Sequence, residues 1–261
     1  MTAEVTVPRL NADLTDHADV AGAGRVPLAA NVGVAHRGFQ PVGSGFLISA
    51  EEAQSLLALD HRHAELLRPY RNGKDLTSRP RGVWVIDFGL REELEARAYP
   101  ILFDLVRDRV KPERDANARS IYGRYWWRFG EPRRELRAAL EGLPRYIATV
   151  KTSKHRFFSF LSAGIAPDDK LTCVASTDAY VLGVLSSLPH ILWATAAGSS
   201  HGIAGTPTYD KGTCFDSFPF ADPPADVRVQ IAIAADRLYE HRRHSLARDA
   251  RVTMASMYDV V

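Results

Sequence analysis

The sequence is poor in cysteine, which disulfide-stabilised domains and structural zinc sites need. Its 261 residues include two cysteines, Cys173 and Cys214, with no Cys-x-x-Cys pair and no histidine at metal-ligand spacing beside either. Neither a disulfide framework nor a structural zinc site is therefore expected. Cys173 stands in an apolar run and is predicted to be a core residue.

The motifs of several enzyme classes are missing as well. Gly22-Ala-Gly24 has Pro27 where a dinucleotide fingerprint needs its third glycine. Asp222-Pro-Pro-Ala225 resembles the target-base loop of amino-methyltransferases, but Ala225 offers no ring to stack on a flipped base. We interpret it as the start of a helix, and the residues by themselves assemble no catalytic centre.

Long hydrophobic runs are also lacking. The longest uncharged stretch, residues 179–209, contains Ser186, Ser187, Pro189 and His190 near its middle, which favours a buried helix broken at Pro189 over a membrane span. The N-terminus carries Glu4 where a signal peptide would be basic, and no apolar core follows it. A cytoplasmic protein is expected.

Net charge is small, but it is distributed unevenly. Lys and Arg number 33 against 31 Asp and Glu, a formal +2 that by itself gives no sign of a nucleic-acid partner. Residues 111–160 hold twelve basic and five acidic side chains, a net +7, which leaves −5 for the rest of the chain.

The same fifty residues contain nine of the 24 aromatic side chains. Cations hold phosphates while rings stack on bases, so the mixture is typical of a nucleic-acid surface. It is equally typical of a solvated basic face above core rings. The candidates for phosphate contacts are Arg145, Lys151, Lys154 and Arg156.

The pattern of helices and strands predicts an α+β domain with a mixed sheet flanked by helices. Ser49 and Glu52 form a capping box that predicts a helix to about Leu67, and Pro100 marks a kink or a second start in the helical pattern of residues 90–110. A further helix is expected over residues 131–140, and strands are expected over residues 83–88, 145–150, 155–160 and 171–176.

After Pro224 the pattern becomes purely helical. Val227, Ile231, Ala234 and Leu238 recur at helical spacing, and Asp222 is positioned to cap the helix. The predicted organisation is one domain over residues 1–222 and a helical segment over residues 223–261.

Several separate strings, in order, are similar to one known family. The strings are Asn11-Ala-Asp-Leu14, Arg71-Asn-Gly-Lys-Asp-Leu76, Trp84-Val-Ile-Asp-Phe88, Trp127-Arg-Phe-Gly-Glu-Pro-Arg133, Ser153-Lys-His-Arg-Phe157, Asp178-Ala-Tyr-Val-Leu-Gly-Val-Leu-Ser-Ser187, Tyr209-Asp-Lys211 and Phe215-Asp-Ser-Phe-Pro-Phe220. With these strings in this order, the chain resembles the C-terminal half of MmeI-like (type IIL and related) site-specific DNA adenine methyltransferases, namely the target recognition domain and the start of a helical tail.

The resemblance implies sequence-specific binding of duplex DNA within a restriction-modification or phage-defence system. Some base-reading residues of the family lie in a variable stretch that corresponds to residues 199–208 of this sequence. The polar candidates there are Ser199, Ser200, His201, Thr206 and Thr208. The family's S-adenosylmethionine and catalytic motifs belong to an upstream domain and do not occur in this sequence. The resemblance therefore implies no cofactor in this chain and a separate methyltransferase domain or subunit as its partner.

Other interpretations stay open at this point. The chain is expected to be a split subunit, a fragment or a truncated product, and an inactive remnant with exposed apolar faces fits the same strings. The basic, aromatic segment also suits an RNA-binding module. Methyltransferase activity of the chain alone would contradict the interpretation drawn from the missing motifs.

Overall fold

The computed structural model describes residues 19–202 and 205–259. The string Asn11–Leu14 that contributed to the family resemblance lies outside them. The described residues form an α+β fold, as predicted. Its α-helices are α1 (Val20–Ala23), α2 (Ala50–Leu59), α3 (Gly73–Thr77), α4 (Glu93–Ala96), α5 (Pro100–Asp115), α6 (Ser120–Arg124), α7 (Arg134–Leu140), α8 (Ala179–Ser186), α9 (Leu188–Ala197) and α10 (Ala225–Arg248).

Ten short strands accompany these helices in the described residues. One four-stranded antiparallel sheet has the order β1-β8-β5-β6, a second four-stranded sheet has the order β2-β4-β3-β7, and β9 pairs with β10 as a hairpin. Only the β3–β7 pair is parallel among the named strands, so the second sheet is mixed. The strands are β1 (Ala35–Arg37), β2 (Leu47–Ile48), β3 (Leu67–Arg71), β4 (Trp84–Ile86), β5 (Arg145–Val150), β6 (Ser159–Ser162), β7 (Ala166–Pro167), β8 (Leu171–Val174), β9 (Ser199–His201) and β10 (Thr206–Thr208).

Local signals in the sequence locate most helix starts. The Ser49 hydroxyl accepts a hydrogen bond from the Glu52 amide at 3.1 Å and caps α2, as predicted. Pro100 is the first residue of α5, so it marks a second start and not a kink within one helix. Asp178 caps α8 by accepting from the Tyr180 amide at 2.8 Å.

Three local predictions are wrong. The strand expected over residues 155–160 begins at Ser159 and ends at Ser162. The helix that follows Ser49 ends at Leu59, because Asp60 is extended and its carboxylate caps a 3-10 turn over residues 61–65. Asp222 does not cap α10, whose N-cap is Pro224 with no side-chain hydrogen bond.

The uncharged stretch folds as two helices, α8 and α9, that meet at an angle of 61°. The chain breaks at Ser187, and Pro189 lies in the first turn of α9, where its missing amide hydrogen leaves no hydrogen bond unmade. In residues 19–202 and 205–259, no single helix is long and apolar enough to cross a membrane, and this bent pair meets the criterion only when its two helices are taken together.

Two clusters of buried side chains form the core. The larger lies under the second sheet and α5, and the smaller joins the first sheet to α8, the Phe215–Phe220 segment and α10. Cys173 is fully buried, as predicted for a core residue. Because α10 contributes Ala235 to the smaller cluster, the helical segment that begins near Pro224 packs directly on the preceding residues.

Candidate nucleic-acid interface

The rings of residues 111–160 belong to the core and do not form a stacking surface. Eight of the nine aromatic side chains are buried, and the ninth, Tyr125, is partly buried against the same core. Of the two interpretations of this segment, the one with core rings is therefore correct for its aromatic side chains. The eight buried rings are Tyr122, Trp126, Trp127, Phe129, Tyr146, Phe157, Phe158 and Phe160.

Several cations of the segment are also used inside the fold. The buried Arg114 guanidinium donates to the carbonyl oxygens of Pro41 and Arg128, at 2.6 and 3.2 Å. Arg137 forms a bidentate pair with the buried carboxylate of Asp87, at 2.7 and 2.9 Å. A net charge of +7 in the sequence therefore overstates the positive charge that faces solvent.

The predicted base-reading residues are brought together by one hairpin. In β9 and β10, His201 pairs with Thr206, Ser200 with Pro207, and Ser199 with Thr208. The three residues of β9 are exposed, Thr206 is half-buried and Thr208 is buried. Exposed polar side chains on two paired strands can reach base edges, whereas Thr208 faces the body of the protein.

Backbone hydrogen bonds join the base of this hairpin to the loop after β5. The Tyr209 amide donates to the Lys151 carbonyl at 2.7 Å, and the Ser153 amide donates to the Pro207 carbonyl at 3.3 Å. The hydroxyls of Thr152 and Thr208 approach to 3.4 Å. The hairpin and the basic loop of residues 151–156 therefore form one surface, which we call the hairpin face.

The four predicted phosphate contacts have different environments. Lys151 is half-buried on the hairpin face, and Lys154 is 76% exposed there, with its ammonium 2.6 Å from the Asp259 carboxylate. Arg145 lies outside this loop, at the start of β5. Its guanidinium stacks 3.6 Å above the centre of the Phe160 ring and donates to the Thr177 carbonyl at 3.0 Å.

Arg156 is half-buried, and its guanidinium turns inward from the hairpin face. Its guanidinium donates to the Thr149 hydroxyl at 3.0 Å and to the carbonyl oxygens of Val150, Lys151 and Pro207, and burial lowers its pKa to about 10. Since these acceptors belong to both the loop and β10, Arg156 holds the hairpin to the body of the protein. A phosphate contact by Arg156 stays a prediction, and its Nη1 and Nη2 groups already donate hydrogen bonds within the fold.

Further cations near the hairpin face carried no motif in the sequence. Lys74 in α3 and Lys170 before β8 lie on the same side of the loop as Lys151, because all three line one cleft. They stand 77 and 19 positions from Lys151 in the sequence, so only the tertiary fold brings them together.

The described residues contain little parallel sheet. Nucleotide-type cofactors bind at the carboxyl edge of an open parallel sheet, beside a glycine-rich turn. Over the two described ranges, parallel pairing is limited to two residue pairs of β3 and β7 and a bridge between Phe39 and Asp168.

Comparison with known proteins identifies the fold. No protein-family model matches the sequence, and no curated protein matches it. Among solved structures, the type IIL restriction-modification enzyme MmeI in complex with DNA is similar, with a TM-score of 0.74 and 16% sequence identity. The match covers 98% of this chain and 33% of the MmeI chain. The chain thus spans a third of the length of that enzyme, and the predicted resemblance is confirmed for the fold.

Proposed function

We propose that this chain binds duplex DNA as the target recognition part of a restriction-modification or phage-defence methyltransferase. The observation that carries the proposal is the hairpin face, where exposed polar side chains of β9 stand beside Lys151 and Lys154 on a scaffold shared with a DNA-bound enzyme. Cations there would fix the register on the phosphates, and the hairpin would read the bases. Action on DNA inside the cell makes the cytoplasm its proposed location.

The proposal assigns methylation to another polypeptide or domain. S-adenosylmethionine and the adenine-modifying residues would belong to that partner, which supplies what this sequence lacks. Support comes from the missing motifs and from the match to a third of the MmeI chain. The recognition chain would then select the site, and the partner would carry out the reaction.

The test separates phosphate contacts from base reading. Binding of the purified chain to a pool of randomised labelled duplexes is followed by sequencing of the bound fraction and by fluorescence anisotropy at several salt concentrations. We expect enrichment of one short sequence and a linear fall of log affinity with log salt, with a slope of about −0.9 for each neutralised phosphate.

A hairpin variant and a competitor complete the experiment. Ser200→Ala with His201→Ala should reduce the enrichment while keeping the salt slope, because these exposed side chains belong to the predicted base-reading set and not to the predicted phosphate contacts. Single-stranded RNA should compete poorly. Binding that does not depend on salt would reject the proposal, and preferred binding of single-stranded RNA would favour an RNA-binding module.

A further inference from the structure

Three lysines from distant parts of the chain line one cleft beside the hairpin face. The cleft has a volume of about 370 Å³, and no acidic residue lines it. We call it the lysine cleft. Its lining residues are Asn72, Gly73, Lys74, Thr77, Val150, Lys151, Thr152 and Lys170.

The same piece of backbone forms the wall of the lysine cleft and supports the hairpin. The Lys151 amide donates to the Lys170 carbonyl at 2.7 Å, while the Lys151 carbonyl accepts from the Tyr209 amide at 2.7 Å. Thr152 both lines the cleft and contacts Thr208 of β10. The cleft is therefore fixed in position relative to the predicted base-reading residues.

The lysines of this protein divide into two groups. The chain has six, and three of them pair closely with carboxylates: Lys111 with Asp115 at 2.5 Å, Lys154 with Asp259 at 2.6 Å and Lys211 with Asp216 at 2.5 Å.

The other three are the lysines of the cleft. In the part of the chain that the structure describes, Lys74 and Lys151 have no carboxylate within 4 Å, and Lys170 has only the neighbouring Asp169 at 3.6 Å. The Asp169 side chain does not line the cleft.

Like charges gathered around one concave site repel one another, and a concave wall focuses their potential. An anion that enters the cleft relieves this repulsion without displacing a carboxylate. Lysine ammonium groups suit phosphate as compact point charges with several donor hydrogens.

We infer that the lysine cleft holds a backbone phosphate of the duplex whose bases face the hairpin. This inference rests on the proposed DNA-binding function. It adds Lys74 and Lys170 to the contact surface, neither of which belongs to the basic segment of the sequence. A free phosphate compound has the same chemistry as a backbone phosphate, so the test distinguishes the two sources.

The test uses Lys74→Gln with Lys170→Gln in the full chain. Both side chains are exposed, so the unfolding temperature should stay unchanged. Because the cleft would hold one phosphate, the salt slope of duplex binding should become up to about one unit shallower, and the sequence enriched from a random pool should stay the same. A matched control, Arg237→Gln with Arg248→Gln, removes the same charge from exposed positions of α10 that do not line the cleft.

The outcomes separate this inference from the proposed function. If the wild type binds duplex DNA and the double variant has the same salt slope, the inferred phosphate site in the lysine cleft is rejected. The proposed DNA-binding function is then unaffected. An equal change of salt slope in the control variant rejects the inference as well. Amide shifts of Lys151 and Lys170 on titration with inorganic phosphate, together with an unchanged DNA slope, would assign the cleft to a free phosphate compound and reject the backbone phosphate. Failure of the wild type to bind duplex DNA rejects the function and the inference together.

Discussion

At the scale of single residues, His190 is the most unusual ionisable group of the core. It is fully buried among the rings of Phe158 and Phe218, and its Nε2 lies 3.0 Å from the Tyr209 hydroxyl. Among the described residues, its Nδ1 has no hydrogen-bond partner. Burial, with a smaller contribution from Arg156, lowers its pKa to about 3.

His190 should therefore make the protein less stable in mild acid. The folded state binds the proton with a pKa of about 3, whereas the unfolded state binds it with a pKa near 6.5. The contribution of neutral His190 to the free energy of unfolding is therefore complete above about pH 6.5 and is lost as the pH falls toward 3. Within that window the loss should approach about 1.4 kcal/mol per pH unit.

Urea unfolding between pH 4 and pH 7 measures this effect, with His190→Phe as the comparison. The variant loses the hydrogen bond to Tyr209 and starts from a lower stability, but its stability should depend less on pH than that of the wild type. Parallel pH profiles for the two proteins would contradict the assignment.

Single residues also explain why the charge count was an incomplete guide to the surface. Arginine and lysine count equally in a sequence, yet the planar guanidinium can satisfy several buried carbonyl oxygens while ammonium groups stay in water. Arg114, Arg156 and Arg242 all donate to main-chain carbonyls in the interior. Tertiary contacts decide which cations face solvent, and the spacing of residues in the sequence does not show those contacts.

At the scale of elements, the contact of α8 with α10 depends on one glycine. A Cβ atom on Gly183 would lie 2.6 Å from Cγ2 of Ile231 and 3.1 Å from its carbonyl oxygen. Both elements also meet at the ion pair of Arg228 with Asp178, at 2.5 Å. The close approach needs a residue without a side chain on α8.

Gly183→Ala should destabilise the protein even though alanine favours a helix. The gain in helix propensity is about 1 kcal/mol, whereas forcing α10 away costs about 1 to 3 kcal/mol. Thermal unfolding measures the net change. Gly123→Ala in α6 is the matched control, because its Cβ would meet its nearest neighbour at 3.7 Å, and it should be neutral or stabilising. A stabilised Gly183→Ala variant would show that the two helices adjust freely.

Elements with strong local signals were predictable, and those fixed by distant partners were not. The strands at residues 145–150 and 171–174 and the helix after Asp178 follow from β-branched runs and a capping aspartate. The strand expected over residues 155–160 begins at Ser159 instead, because Arg156 turns inward to bond the end of β5 and β10. The hairpin residues were named from a family resemblance, but nothing local predicted that they would join the loop of Lys151.

At the scale of the whole molecule, the residues after α10 return to the hairpin face. Arg79 donates to the carbonyl oxygens of Asp249 and Val252, and Met254 is buried in the larger core cluster. Tyr258 stacks on Phe157, which places the Asp259 carboxylate 2.6 Å from Lys154 and 2.7 Å from His155 Nε2. The hydrogen bond from Lys154, and next in size the one from His155, lower the pKa of Asp259.

Under the proposed function, Asp259 should compete with a DNA phosphate for Lys154. Asp259→Asn would free the ammonium group, and we expect about two- to fivefold tighter duplex binding at low salt, with the gain lost at high salt because the contact is exposed. Anisotropy titrations at two salt concentrations measure this. Asp236→Asn, which removes the same charge from an exposed site on α10, should change affinity less. Equal gains in both variants would indicate a general charge effect.

The way in which the hairpin is attached has a consequence for evolution. Its links to the loop after β5 run mainly through main-chain amides and carbonyls, which every residue except proline provides in full. In residues 19–202 and 205–259, the side chains of Ser199, Ser200 and His201 make no hydrogen bond that supports the fold. Mutations at these three positions would therefore be nearly neutral for folding, and under the proposed function selection could change the preferred DNA sequence without first repairing the protein.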